Sequence, residues 1–283
     1  MKLFLILMLI LILCYLIWQY FELKKFSVTE YKVYSDKVER DYTLAVVADL
    51  HGFTYGKENE KLLQAISAAN PDMICIPGDM IVGKHVKTHE SAVKSFEQFT
   101  KIAPVYYSYG NHESKLNRKE SAYYSDFLHY EEKLQEQGIH ILNQKGEYFD
   151  HCLWVCGLEI PISCYKKGIC MPLPSRFIET EMPEKPEDAY TIMLAHNPYF
   201  SEDYAGWGAD LTLCGHYHGG LIRIPGKGSL ISPQFKLFPK YDGGDYEIGA
   251  KHVLVSRGLG THTFHVRIFN RAELLVVKII QKH

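Results

Sequence analysis

The chain reads as an α/β protein, a sandwich of mixed sheets with flanking helices, preceded by an apolar amino-terminal segment. Three observations predict it. Valine-rich apolar runs alternate with stretches of helical spacing between 42 and 111, and further strand-like runs follow down to residue 280. Residues able to do chemistry recur where these runs end. The 283 residues contain no Ser/Gly/Pro linker and no internal repeat, so the part from 27 to 283 fits one large domain better than two.

Residues 3 to 18, LFLILMLILILCYLIW, are uninterruptedly apolar, and Tyr20 and Phe21 extend the stretch to the length of a tilted bilayer-spanning helix. The run is long for a signal peptide and is followed by bulky WQYFELKKF rather than small residues, so residues 1–26 are expected to be an uncleaved transmembrane anchor. Lys24, Lys25, Lys32, Lys37 and Arg40 follow it, against Lys2 before it; the positive-inside rule would keep the domain cytoplasmic, but short amino-terminal tails often stay inside regardless. The expected location is therefore the cell membrane, single-pass, with the side left open. The seven cysteines form no CxxC pair; buried thiols are expected, with a Cys164–Cys170 disulfide as the option for an exported domain.

Segment 27–41 is polar. YTLAVVAD (42–49) reads as a buried strand, 58–70 as a helix from the spacing of Leu62, Leu63, Ile66 and Ala69, and Pro71 stops it. MICIPGD (73–79) is a strand, 90–102 a helix and VYYSYGN (105–111) a strand. A helix around 119–137 precedes strands in 138–144, 146–151 and 153–159. A polar excursion at 160–188, a lid or membrane-facing flap by its position, leads to YTIMLAHNP (190–198) and DLTLCGHYHGG. Strands at 252–258, 264–270 and 273–280 close the chain.

The polar residues at five strand ends are Asp49 and His51, Asp79, Asn111 with His112, His196, and His216 with His218. Singly, each is an ordinary turn or core residue; together they are hard to dismiss, because the carboxyl edge of an α/β sheet gathers residues that are distant in sequence. Two carboxylates, a carboxamide and four imidazoles, with no thiolate, suit Mn, Fe or Zn rather than a cysteine-rich structural zinc site. Seven donors exceed one tetrahedral ion, and a shared carboxylate lets them serve two divalent ions, a layout suited to displacement at phosphorus.

DxH (49–51), GD (78–79), GNHE (110–113), His196 and GHxH (215–218), in this order, resemble the five-block signature of calcineurin-like metallophosphoesterases over roughly 43–280. GGLIRIPG, LFPKYDGGDY and VSRGLG resemble the bacterial membrane-associated YkuE/YaeI type, some of whose relatives hydrolyse the pyrophosphate of UDP-diacylglucosamine. The resemblance implies a four-layer α/β/β/α sandwich. It implies that Asp49, His51 and His218 hold one metal, that Asn111, His196 and His216 hold the other, and that Asp79 bridges both around a nucleophilic hydroxide. His112 would act as acid on the leaving oxygen and stabilise phosphoryl charge. Several members pair that histidine with an aspartate three residues after the bridging one; here Val82 stands there.

The expected function is a membrane-anchored two-metal phosphohydrolase acting on a phosphodiester, pyrophosphate or monoester, with a lipid-linked or envelope substrate suggested by the anchor. The alternative on the same fold is a non-catalytic metal-binding regulatory or scaffold protein, hinted at by Val82. Thirty-one Lys plus Arg against 33 Asp plus Glu provide no broad electrostatic footprint for nucleic acid, so a nuclease gains no support. Loop 219–246, with Arg223, Lys227, Lys236 and Lys240, is the candidate for substrate contacts. Oligomeric state is not legible.

Overall fold

A computed structural model describes residues 1–168, 171–220, 222–261 and 265–282. The chain begins with α1 (Lys2–Glu22), β1 (Phe26–Ser35), β2 (Tyr42–Val46), α2 (Glu60–Ala69), β3 (Met73–Ile76), α3 (His89–Thr100) and β4 (Val105–Tyr107). It continues through α4 (Asn111–Leu116), α5 (Tyr124–Glu136), β5 (His140–Ile141), β6 (Lys145–Asp150), β7 (Leu153–Leu158), α6 (Phe177–Glu181) and β8 (Tyr190–Ala195). The last part holds α7 (Ser201–Trp207), β9 (Leu211–Cys214), the short pair β10 (Arg223–Ile224) and β11 (Gly228–Ser229), then β12 (Gly244–Ile248), β13 (Lys251–Val255) and β14 (Ala272–Gln281).

Two six-stranded mixed sheets stack, one in the order β1-β14-β2-β3-β4-β5 and the other β12-β13-β9-β8-β7-β6. Strand alternation explains the layering, because successive side chains point to opposite faces. On β8, Ile192 and Leu194 meet Leu44, Val46 and Leu275 between the sheets, whereas Met193 and Ala195 face outward to Phe200 and Tyr204 beside α7. The first sheet's outer face packs on Ile66 of α2, Phe96 and Phe99 of α3, and Phe127 of α5. Both faces of each central strand are therefore covered, and their sequences read as continuous apolar runs. The result is the expected four-layer α/β/β/α sandwich.

Three expectations are corrected. The polar segment 27–41 holds most of β1, an edge strand parallel to β14; Val28, Glu30, Lys32 and Tyr34 face solvent while only Val33 and Ser35 are buried, so apolar and polar residues do not sort by face and the strand pattern is hidden. No strand forms over 265–270, where the described residues make only an isolated bridge from Ile268 to Ile222; Phe264 lies outside the described residues. The strands expected to run to 49, 79 and 111 stop at Val46, Ile76 and Tyr107. Asp49 and Asp79 need left-handed backbone (φ 52° and 56°), which a strand excludes. Cys170 also lies outside the described residues; Cys14, Cys75, Cys152, Cys156 and Cys214 are thiols.

The amino-terminal helix α1 is long and apolar enough to cross a membrane by length and composition, and nearly all of it is exposed. Its last turn is tied to the domain. The Gln19 side chain donates to the Arg267 carbonyl at 2.9 Å and accepts the Arg267 N–H at 3.0 Å.

Candidate metal centre

Beyond β2 and β3 the two turns run side by side, with the Asp49 N–H donating to Gly78 O at 3.1 Å and the His51 N–H to Asp79 O at 3.0 Å. Left-handed backbone recurs at His51, His216 and His218 (φ 50°, 66° and 50°). Bulky residues seldom adopt that conformation, and its cost of roughly 1–3 kcal/mol each is borne where the surroundings over-determine it. Gly110 has a different reason: a Cβ there would sit 2.2 Å from Asp79 Oδ1, so only glycine admits the close approach of the third turn.

All eight sequence-predicted residues come to this one edge, and all but His218 are buried. His196 Nε2 lies 3.1 Å from Asp79 Oδ2 and 3.7 Å from Asp49 Oδ1. His218 Nε2 is 3.7 Å from Asp49 Oδ1 and 3.2 Å from His51 Nε2. Two side-chain groups that could hold a metal, their donor atoms within 4.8 Å of one another, are Asp49/His51/His218 and Asp79/His196/His216. A third, His51/Asp79/His112, shares members with both. Asn111 begins α4, and its Oδ1 is buried without a hydrogen-bond partner, an expensive state for a carboxamide oxygen unless a cation accepts it. That orphaned oxygen and the nitrogen/oxygen donor set fit a divalent metal.

The backs of the imidazoles are fixed. His51 Nδ1 meets Ile81 O at 3.1 Å, His196 Nδ1 meets Pro77 O at 2.8 Å and His218 Nδ1 meets Gly260 O at 3.2 Å, so the Nε2 atoms face the site. The charges interact strongly. Burial and the neighbouring Asp79 push the Asp49 pKa up to about 7, with His196 pulling the other way. Burial opposes charge on Asp79 too, yet His196, His112 and His51 hold its carboxyl well below the usual range. Burial alone would lower the His196 pKa, but the two aspartates outweigh it and raise it to about 9.

Four further residues support this set. Gly83 donates its N–H to His112 Nδ1 at 2.7 Å, directly after Val82, which stands where the family pattern has an aspartate. The Glu113 carboxylate, fully buried, accepts the N–H groups of Asp79, Met80, Ile81 and Gly110. Tyr165, in a 3-10 turn of the 160–188 excursion, sets its ring 4.9 Å edge-on from His216. Buried Arg267 donates to the carbonyls of Arg257, Gly258 and Gly260, and Gly260 in turn donates to Asp49 O. Only Glu113 stood within a motif; backbone donors and long-range ring contacts carry no local pattern. Within loop 219–246, the candidate for substrate contacts, Arg223 pairs with Asp242 at 3.2 Å and Lys240 with Glu202 at 2.6 Å.

A family model described as calcineurin-like phosphoesterase matches residues 42–220. Phosphodiesterase YaeI of Escherichia coli is 24% identical over 221 residues, covering 74% of this chain and 71% of that protein. The metallophosphoesterase YkuE of Bacillus subtilis is 24% identical over 268 residues, covering 91% and 87%. Among solved structures, a dimetal phosphatase from Danio rerio superposes with a TM-score of 0.44 at 11% identity, over 78% of this chain and 88% of that one.

Proposed function

Since the chain belongs to the calcineurin-like phosphoesterase family and is a metal-dependent phosphoesterase, we propose that it is a membrane-anchored phosphohydrolase with two divalent ions, Mn, Fe or Zn. Its substrate is a phosphodiester, pyrophosphate or monoester, in a lipid-linked or envelope molecule such as a UDP-diacylglucosamine-type pyrophosphate. The observation that carries this is the convergence of Asp49, His51, Asp79, Asn111, His196, His216 and His218 on one buried edge. Asp49, His51 and His218 would hold one ion, Asn111, His196 and His216 the other, and Asp79 both. When bound, such a pair supplies Lewis-acid charge neutralisation at phosphorus and lowers the pKa of water. Residues 1–26 serve as the anchor and 27–283 as the catalytic domain.

His112 lies beside this set, its Nε2 3.9 Å from Asp79 Oδ2. Because Gly83 donates to Nδ1, the neutral ring keeps its proton on Nε2, the nitrogen turned toward Asp79. That tautomer donates a hydrogen bond to a phosphoryl or leaving oxygen without a partner aspartate. Val82 therefore gives the scaffold alternative no support.

The test is the full chain in detergent with Mn²⁺, assayed on bis-p-nitrophenyl phosphate and p-nitrophenyl phosphate, with metal content measured in parallel. We expect hydrolysis of at least one, His112→Ala to keep metal and lose roughly 10²–10⁴-fold in turnover, and Asp79→Ala to lose metal. Metal bound without hydrolysis of either ester, or equal metal loss in both variants, would overturn the assignment.

A further inference from the structure

The edge of the sandwich that carries the metal-site turns is also the edge where α1 joins. Antiparallel pairing of Leu275 with Val46 puts the start of β14 at the carboxyl end of β2. Parallel pairing of Phe26 with Ala272 puts the start of β1 there too, directly after α1. The Gln19–Arg267 hydrogen bonds and the Arg271–Glu22 ion pair at 2.6 Å hold the end of α1 to this edge.

A continuous series of backbone hydrogen bonds leads away from that junction. Arg223 N–H reaches Ile268 O at 3.0 Å, Leu230 N–H reaches Ile222 O at 2.9 Å, and Phe238 N–H reaches Leu230 O at 3.1 Å. Along it stand large apolar side chains open to solvent: Phe269 (70% exposed), Phe235 (58%), Leu237 (68%) and Phe238 (56%). The three phenylalanines have left-handed backbone (φ 50°, 63° and 45°), a conformation bulky residues rarely take, so the chain is strained in the act of turning these rings outward. Lysines surround them. Lys167 lies 5.1 Å over the Phe235 ring and Lys236 3.5 Å over Tyr199, with exposed Lys166 adjacent. Exposed apolar clusters of this kind mark contact surfaces.

We infer that this face rests on the bilayer that α1 enters, with Phe235, Leu237, Phe238 and Phe269 in the acyl–headgroup boundary and Lys166, Lys167 and Lys236 on anionic headgroups. Continuity with α1 and the lysine charges select a lipid surface over a protein partner, since amphipathic aromatic and basic surfaces are what the interface retains. The inference rests on the anchor assignment of α1. A groove of about 580 Å³ beside the loop is lined by Pro172, Tyr199, Tyr217, Lys236 and Phe238.

The experiment uses the full chain in phosphatidylethanolamine–phosphatidylglycerol vesicles containing lipid spin-labelled near the headgroup, and reads tryptophan emission. Trp154 and Trp207 emit as well, so Trp18 is read as the difference between the parent and Trp18→Phe. In the Trp18→Phe background, with its residual emission subtracted, Leu237→Trp and Phe269→Trp report the proposed face, and His151→Trp, at the exposed β6–β7 turn on the opposite edge, is the reference. Leu237 has ordinary backbone, so its variant remains informative if the strained Phe269 position does not tolerate the change. An insertion depth of roughly 5–10 Å predicts that both new indoles lose about half their emission while the one at 151 is unaffected. Trp18 quenched with the indoles at 237 and 269 no more affected than the reference would overturn the inference and leave the anchor standing. No quenching at Trp18 would remove both.

Discussion

Replacing Glu113 with glutamine changes one atom in a site that has no spare acceptor. Oε1 takes the N–H groups of Met80 at 2.8 Å and Ile81 at 3.2 Å, and Oε2 those of Asp79 and Gly110 at 3.0 Å each. In Glu113→Gln an NH2 group must face one of these pairs, leaving two buried backbone donors without an acceptor. Each such orphan costs about 1–3 kcal/mol, so the variant should lose roughly 2–6 kcal/mol, more than most single substitutions. For a domain of this size about 1 kcal/mol shifts the melting midpoint by about 2–4 °C, which predicts a fall on the order of 5–20 °C. Thermal unfolding of the full chain in detergent followed by near-ultraviolet circular dichroism measures it. Metal content should fall with it, because Asp79 is one of the four residues held. A midpoint within about 1 °C of the parent and unchanged metal would refute the claim that this carboxylate clamps the turns together.

Gly83→Ala brings a Cβ within 2.6 Å of the His112 carbonyl oxygen, so it should displace the ring and cost roughly 10–100-fold in turnover with metal retained; unaltered kcat would show the Gly83 contact to be idle. Tyr165→Ala, removing the ring against His216, should speed metal loss to a chelator by roughly 10-fold, measured by stopped-flow release. Burial pushes the Asp210 carboxyl up, but hydrogen bonds from Lys251, the Thr191 N–H and Lys37 outweigh it and hold its pKa below the usual range. A depressed folded pKa contributes stability above the unfolded value, near about 4, that is lost as pH falls through the folded value. Asp210→Asn should therefore be less stable than the parent at pH 7, with the gap closing below about pH 4 in denaturant titrations; a gap independent of pH would refute the charge argument.

The site was largely legible because its residues obey two rules visible in one dimension. Donors such as Asp49, Asp79 and His196 follow apolar runs, and the runs themselves are apolar on both faces because two sheets and two helical layers enclose them. What was missed obeys no local rule. β1 is an edge strand whose polarity imitates a linker, and its order comes from pairing with β14, more than 240 residues away. The stretch around Arg267 has strand composition, but its buried guanidinium donates to four carbonyls, those of Arg257, Gly258, Gly260 and Asn270, and only an isolated bridge forms beside it. No aspartate stands at 82 to accept from His112; the Gly83 N–H donates to its Nδ1 instead, a backbone contact that leaves no mark in the sequence.

The left-handed turns at Asp49, His51, Asp79, His216 and His218 also limit which substitutions the scaffold can accept. Aspartate, asparagine and histidine enter that region more readily than other side chains, so donor type and backbone shape favour the same short list. Threonine or valine at any of the five would fail on conformation before its chemistry was ever tried. Among residues that carry a side chain, variation that preserves folding is thereby steered toward those still able to bind a cation; glycine takes the same backbone and supplies no donor, so it is the substitution that would empty the site while keeping the turns.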